Sequence, residues 1–225
     1  MKSRQFVLGL YSLLVSCAVI VGAAAEDWDI AALDTARAVN YLTEIEKDIV
    51  LELNKVRSNP RKYAELYIKP RLAYFNGNRY SEPGKITILT NEGPRAVQEC
   101  YDVLCSSESS PLLMPSRGMS RAAKDHVSDQ GPGGATGHNS SGGASFSDRL
   151  NSYGKWSGGA AENISYGKNT GREIVVQLLI DDGTPSRGHR KNNLGKSYTF
   201  AGVAAGNHSR YGTMAVIDFA SSYTE

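Results

Sequence analysis

Apolar residues recur at helical spacing in four stretches of the chain. Ile45, Ile49, Leu53 and Val56 fall three or four apart behind Thr43-Glu44-Ile45-Glu46, a capping-box sequence. They predict a helix from about Thr43 that Pro60 ends or restarts, with Arg61 to Tyr67 adding a further turn or two. Val97, Tyr101 and Leu104 line one side of a second helix opening at Pro94, a residue well suited to a first helical position. A third starts at Ser116 and carries Met119, Ala122, Ala123, His126 and Val127 to about Gln130, where Gly131-Pro132-Gly133-Gly134 should break it. Thr170-Gly171-Arg172-Glu173 caps a fourth, whose aliphatic run Ile174 to Ile180 should extend to about Asp182. Phe146 to Leu150 reads as a short helix between glycine-rich loops. Strand patterns are fewer: Ile86 to Leu89, Ala161 to Tyr166, and a terminal hairpin of Thr199 to Gly206 with Thr213 to Ala220. Helices come first and strands close the chain, with little βαβ alternation and no internal repeat. The pattern predicts an α+β layered domain with a small antiparallel sheet.

The N-terminus changes where the domain begins. A basic start, Met1-Lys2-Ser3-Arg4, is followed by an apolar run from Phe6 to Leu14 and small residues ending Ala23-Ala24-Ala25. That is the layout of a secretory signal peptide over 1–25, with cleavage after Ala25. A membrane anchor is one alternative, since Phe6 to Ala25 is about long enough to span a bilayer. A lipoprotein held through Cys17 in Leu14-Val15-Ser16-Cys17 is another. On the signal-peptide reading the protein is exported, secreted or periplasmic, and the mature chain has no transmembrane span. Residues 26–43 are then an N-terminal leader, loosely tied or a short helix, ahead of a domain over 44–225.

Composition narrows the function classes. The 225-residue chain carries 25 Lys and Arg against 23 Asp and Glu. Cleavage removes Lys2 and Arg4, leaving a formally neutral protein that gives a nucleic-acid partner no support. Glycine is high at 23 residues, which suits long loops in a soluble globular protein. Past the signal only Cys100 and Cys105 remain. Five residues on a helix is about 140° of rotation, so a disulfide there requires the helix to end near Ser106; two small core thiols are the alternative.

Two of the four histidines stand out. His138 ends the Gly131–Gly137 run, and His189 sits in Ser186-Arg187-Gly188-His189-Arg190. Both are in glycine-flanked loops, where site residues concentrate and an imidazole can be aimed. His126 belongs to the apolar face of a helix, and His208 falls in the hairpin turn, where solvation is expected. Glu162 lies between Ala160-Ala161 and Ile164, and a carboxylate in so apolar a segment is paired or functional. Asp181 ends an aliphatic helix, at the unfavourable end of its dipole, which points to a compensating partner such as His189 or a cation, or to simple exposure at the helix end. No Gly-x-Ser-x-Gly, phosphate-binding loop or His-Glu-x-x-His is present. Serines are plentiful beside His138, but none is singled out.

Gly137-His138-Asn139, Ala161-Glu162-Asn163-Ile164-Ser165-Tyr166-Gly167 and Ser186-Arg187-Gly188-His189-Arg190-Lys191-Asn192-Asn193-Leu194 together resemble the signatures of the CAP superfamily. This family groups cysteine-rich secretory proteins, antigen 5 and pathogenesis-related 1 proteins, also called SCP domains; the resemblance is to its bacterial form. Leu53-Asn54-Lys55-Val56-Arg57 is similar to the family's first-helix pattern, and Ala201-Gly202-Val203-Ala204 to one of its strands. The five signatures keep the family's order. The resemblance implies a three-layer α-β-α sandwich, with residues 69–111 inserted between the first two family helices. It implies a cleft of two histidines and two acids: His138 and His189 as ligands of zinc or another divalent cation, Glu162 and Asp181 beside them. Asp181 stands where many relatives have Glu, Ala161 replaces a Gly, and Arg187 replaces a Pro. The function implied is binding, of a lipid, a sterol or a host or cell-surface protein. The alternative is a metal-dependent hydrolase, a peptidase or cell-wall enzyme with Glu162 as general base.

Overall fold

The computed structural model describes residues 27–225; segment 1–25, expected to be a signal peptide, and Cys17 lie outside the described residues. A short helix, α1 (Ile30–Leu33), opens the described chain. The leader is packed: Trp28, Leu33, Ala36 and Leu42 are buried, and the Trp28 indole N–H donates to the Tyr67 hydroxyl at 3.0 Å. Helix α2 (Glu44–Ser58) begins where the Thr43 N–H donates to Glu46 Oε2 at 2.7 Å. Pro60 then starts α3 (Pro60–Tyr63), which continues through a π turn and a 3₁₀ stretch to Tyr74, well past the turn or two expected. Three two-residue strands follow, β1 (Phe75–Asn76), β2 (Arg79–Tyr80) and β3 (Ile88–Leu89), paired antiparallel in that order. After them α4 (Pro94–Ser106) buries Val97, Cys100 and Leu104. Much of 69–111 is thereby part of the core, through α4. Cys100 and Cys105 are both free thiols, Cys100 buried; burial pushes the Cys100 thiol up to about 12.

A two-residue strand, β4 (Met114–Pro115), precedes α5 (Arg117–Gly133). The expected break at Gln130 is passed: α5 runs through Gly131 and Pro132 and stops only where Gly134 turns left-handed at φ 70°. Tertiary contact holds this last turn, because the Ser209 N–H donates to the Gly131 carbonyl at 2.8 Å. Then come α6 (Phe146–Asn151), the long strand β5 (Lys155–Tyr166), α7 (Gly171–Ile180) and α8 (Gly188–Leu194). The hairpin β6 (Phe200–His208) and β7 (Gly212–Thr224) closes the chain.

The main sheet has the order β4-β6-β7-β5, antiparallel except for the β4–β6 pair, which is parallel. Side chains alternate across it, and the alternation makes the three layers. On one face Ala215, Ile217 and Phe219 pack with residues of α2, α4 and α7. On the other, Met214, Val216 and Ala220 meet Met119, Ala122, Ala123 and Val127 of α5. The fold is thus the α-β-α sandwich of the α+β class, with β5 as an edge strand between helices on both sides. No helix among the described residues is long and apolar enough to cross a membrane.

Candidate functional site

Strand β5 stands beside both pairs of expected site residues. Glu162 points toward α6 and accepts from His138 and Arg149; the next residue, Asn163, points toward α8 and donates to the His189 carbonyl at 3.0 Å. The structure therefore makes two imidazole–carboxylate dyads beside one edge strand, and Ile164 and Tyr166, which share Glu162's face, line the same cavity as Asp181 and His189.

In the first dyad His138 Nδ1–H donates to Glu162 Oε1 at 2.8 Å. The Glu162 side chain is 1% exposed and the imidazole 54%. Arg149 fixes both partners. Its Nη2 pairs with the other Glu162 oxygen, and its Nη1 donates to the carbonyls of His138 (3.0 Å) and Ala144 (3.2 Å). The loop 138–144 is thus wrapped around one buried guanidinium. Behind it, His126 Nε2 and Gln130 Nε2 both reach the Gly137 carbonyl, at 2.8 and 2.9 Å. His126 is fully buried, and desolvation holds its pKa below the usual imidazole range despite that hydrogen bond.

In the second dyad His189 Nδ1–H donates to Asp181 Oδ1 at 2.7 Å, while the backbone N–H of His189 reaches Asp181 Oδ2 at 3.0 Å. Asp181 is the residue that ends α7, in left-handed conformation at φ 57°. The partner that compensates its charge at that helix end is His189, together with the first amides of α8. Burial would raise the Asp181 carboxyl, but the bonds from His189 and Arg190 outweigh it and hold the carboxyl below its ordinary range.

Arg187, which replaces the family's proline, adopts φ 51°, a value closed to a proline ring. Its guanidinium pairs with Glu92 and Glu99 and donates to the Asp181 carbonyl at 2.8 Å. This cluster straps the α7–α8 loop to α4 and the turn before it. The Arg187 bonds, with the Gly183 N–H, pull the Glu92 carboxyl down to about 2.

A cavity of about 380 Å³ opens beside the second dyad. Phe75, Tyr80, Val97, Ile164, Val176 and Ile180 give it an apolar wall, and Asp181 and His189 are part of a polar lining that includes Arg71, Lys168, Glu173 and Gln177; His138 and Glu162 are not part of its lining. Its size falls in the range of small-molecule sites.

Each histidine spends Nδ1 on a carboxylate, which leaves a lone pair on Nε2, the arrangement of a metal-ligating imidazole with a carboxylate behind it. The donor chemistry fits a divalent ion at His138 and His189. Among the described residues, however, no three His, Cys, Asp or Glu side chains stand together as a metal-holding group, so solvent or ligand would have to complete the coordination.

Arg149 and Asp218 lie outside the sequence motifs, and Asn163 lies inside one that assigned it no role. Asp218 sits opposite Glu162 in the β5–β7 register and is 1% exposed. An acid inside Met214-Ala215-Val216-Ile217-Asp218-Phe219-Ala220 carries the same signal that marks Glu162. His208, expected in solvent, is 1% exposed: Nε2 donates to the Ala135 carbonyl at 2.8 Å, and Nδ1 accepts from the Arg210 and Tyr211 amides. The hairpin turn folds back over the ring, so a turn position did not mean exposure.

Compared with known proteins, residues 52–219 match the family model of the cysteine-rich secretory protein family, CAP. No curated protein matches. Among solved structures, an extracellular SCP-domain protein from Bacillus anthracis is similar at 25% identity and a TM-score of 0.41, over 49% of this chain and 34% of that one. The match thus spans about a third of that protein's length.

Proposed function

This chain belongs to the cysteine-rich secretory protein (CAP) family, and on that premise we propose that it is an exported protein acting by binding rather than by turnover. Its ligand is an apolar or amphiphilic molecule, a lipid or sterol, seated in the cavity beside His189. The cavity carries this reading: its apolar wall suits a hydrocarbon body, and its polar lining, Asp181 and His189 among it, suits the polar part of an amphiphilic ligand. His189 Nε2 accepts from a ligand hydroxyl in the neutral imidazole and donates to an acid in the protonated one. A divalent ion such as zinc, held through Nε2 of His138 and of His189, would supply a Lewis acid at the polar end.

Filling the cavity from its wall tests the ligand. Ile180→Trp should weaken binding of a fluorescent fatty acid or sterol at least tenfold, about 1.4 kcal/mol, with the thermal midpoint little changed. Unaltered binding of both probes, or no binding by the wild type, would remove the cavity from the function. For the metal, zinc titration by calorimetry should show binding that the double variant His138→Ala/His189→Ala lowers by roughly tenfold or more; equal binding by the two proteins rejects the site.

The hydrolase alternative has less support. A general base needs a lone pair facing the water it activates, and both Glu162 oxygens are taken by His138 and Arg149 in a side chain 1% exposed. If turnover exists, Glu162→Gln should abolish it while the fold survives.

A further inference from the structure

Beneath His138 lies a second carboxyl that neither the ligand nor the metal reading uses. Asp218 of β7 and Glu162 of β5 are cross-strand partners, so both side chains enter the layer between the sheet and α5–α6. The two carboxyls face each other across the strand pair and interact directly, and only a proton between them would turn that approach into a hydrogen bond. The surroundings decide where it resides.

The charged and titratable groups acting on Asp218 are Glu162 from β5, Arg149 from α6 and Tyr223 from its own strand; His126 of α5 acts on Glu162 and Arg149 rather than on Asp218. Arg149 is the one permanent cation, and its two terminal nitrogens are engaged by Glu162 and the 138–144 loop. Asp218 Oδ1 is buried with no hydrogen-bond partner. A carboxylate oxygen so placed would be an unsolvated charge, whereas a neutral carboxyl tolerates it. Two ionised carboxylates against one guanidinium would also leave a buried net charge, which a single proton removes.

We propose that Asp218 is a positioning residue, a neutral carboxylic acid that donates its proton to Glu162 and so fixes the carboxylate that orients His138. Glu162 then accepts from three donors, Asp218, Arg149 and His138, with its single charge matched by Arg149. Held this way it keeps the His138 proton on Nδ1 and the lone pair of Nε2 turned outward. Burial and the neighbouring Glu162 raise the Asp218 carboxyl well above the ordinary aspartate range. The assignment does not depend on which ligand, or whether a metal, occupies the site.

Asp218→Asn, which keeps a donor toward Glu162 and cannot ionise, provides the test. A carboxyl raised in the folded state stabilises the fold fully below its unfolded pKa of about 3.9, and that stabilisation is lost as pH rises toward the folded pKa. The Asn variant has no such loss. In urea titrations its folding equilibrium should gain on the wild type as pH rises above about 4, by up to tenfold per pH unit until the folded pKa is reached. A variant that instead falls behind as pH rises would show that Asp218 is ionised, and no change with pH would show that its carboxyl is unperturbed; either overturns the proposal. Positioning is read separately from the ¹⁵N shifts of His138. Asp218→Asn should preserve the wild-type tautomer and Asp218→Leu should lose it, and identical His138 spectra in all three proteins reject the positioning role.

Discussion

Arg57→Met should destabilise the protein by roughly 3–5 kcal/mol, measured as a fall in the urea midpoint with the slope unchanged. Arg57 is fully buried at the end of α2. Its guanidinium donates to four main-chain carbonyls: Pro111 at 2.7 Å, Asn193 at 2.8 Å, Gly195 at 3.0 Å and Tyr198 at 2.7 Å. Burial lowers its pKa to about 10, which leaves it charged at neutral pH. Methionine has a similar length and no donors, so the four oxygens stay buried and lose the cation they face. Each unsatisfied buried group costs about 1–3 kcal/mol, and partial relaxation keeps the sum below the full addition. Lysine should recover only part of the loss, since one ammonium cannot reproduce a planar fork reaching carbonyls on separate turns. The site should respond as well. Asn193 belongs to α8, and Asn163 ties both to the Asn193 side chain and to the His189 carbonyl. Zinc affinity and probe binding should therefore fall together in Arg57→Met, whereas Ile180→Trp affects the probe alone. A variant with an unchanged midpoint would show that water reaches these carbonyls once the arginine is gone.

Periodic burial made the helices around the core legible in the sequence. Ile49, Leu53 and Val56 predict the buried face of α2, and Ile174 to Ile180 predict α7, because each helix must hide an apolar stripe. Features held by tertiary contact left no such pattern. The last turn of α5 violates local propensity at Gly131-Pro132 and exists because the β6–β7 hairpin seats against it. Strand β4 is two residues long, and α8 is mostly polar, its start set by Asp181 from the preceding helix end. In the site, the loop histidines and Glu162 were readable from glycine flanks and an out-of-place acid. Their separation into two dyads was not. It arises because each carboxylate takes the histidine that tertiary folding brings to it, Glu162 the one from the loop after α5 and Asp181 the one at the start of α8. Arg149 was invisible for a related reason: nothing local distinguishes an arginine turned inward onto a loop from one in water.

Gly202→Ala should be as damaging as any change to the core, costing at least about 3 kcal/mol, above the ordinary range for an added methylene. Gly202 lies in β6, directly across from Asp218 in the register, where α5 crosses the sheet. A Cβ there would stand 2.2 Å from the Met119 main-chain carbon and 2.3 Å from its Cβ. These are atoms of the α5 backbone and its first side-chain carbon, so no rotamer change clears them and the helix itself must lift. Further along the same helix, a Cβ on Gly131 would come within 2.4 Å of the Asn207 carbonyl oxygen. Helix α5 is thus seated closely at two points along its length and cannot pivot about one to relieve the other. Its displacement would carry His126 and Gln130 away from the Gly137 carbonyl, and with them the loop that presents His138. The expected result is a large drop in the urea midpoint together with altered ¹⁵N shifts of His138, while the His189 signals change little. Equal perturbation of both histidines would mean that the two dyads are mechanically coupled, and a midpoint near the wild type would mean that the sheet yields where the helix cannot.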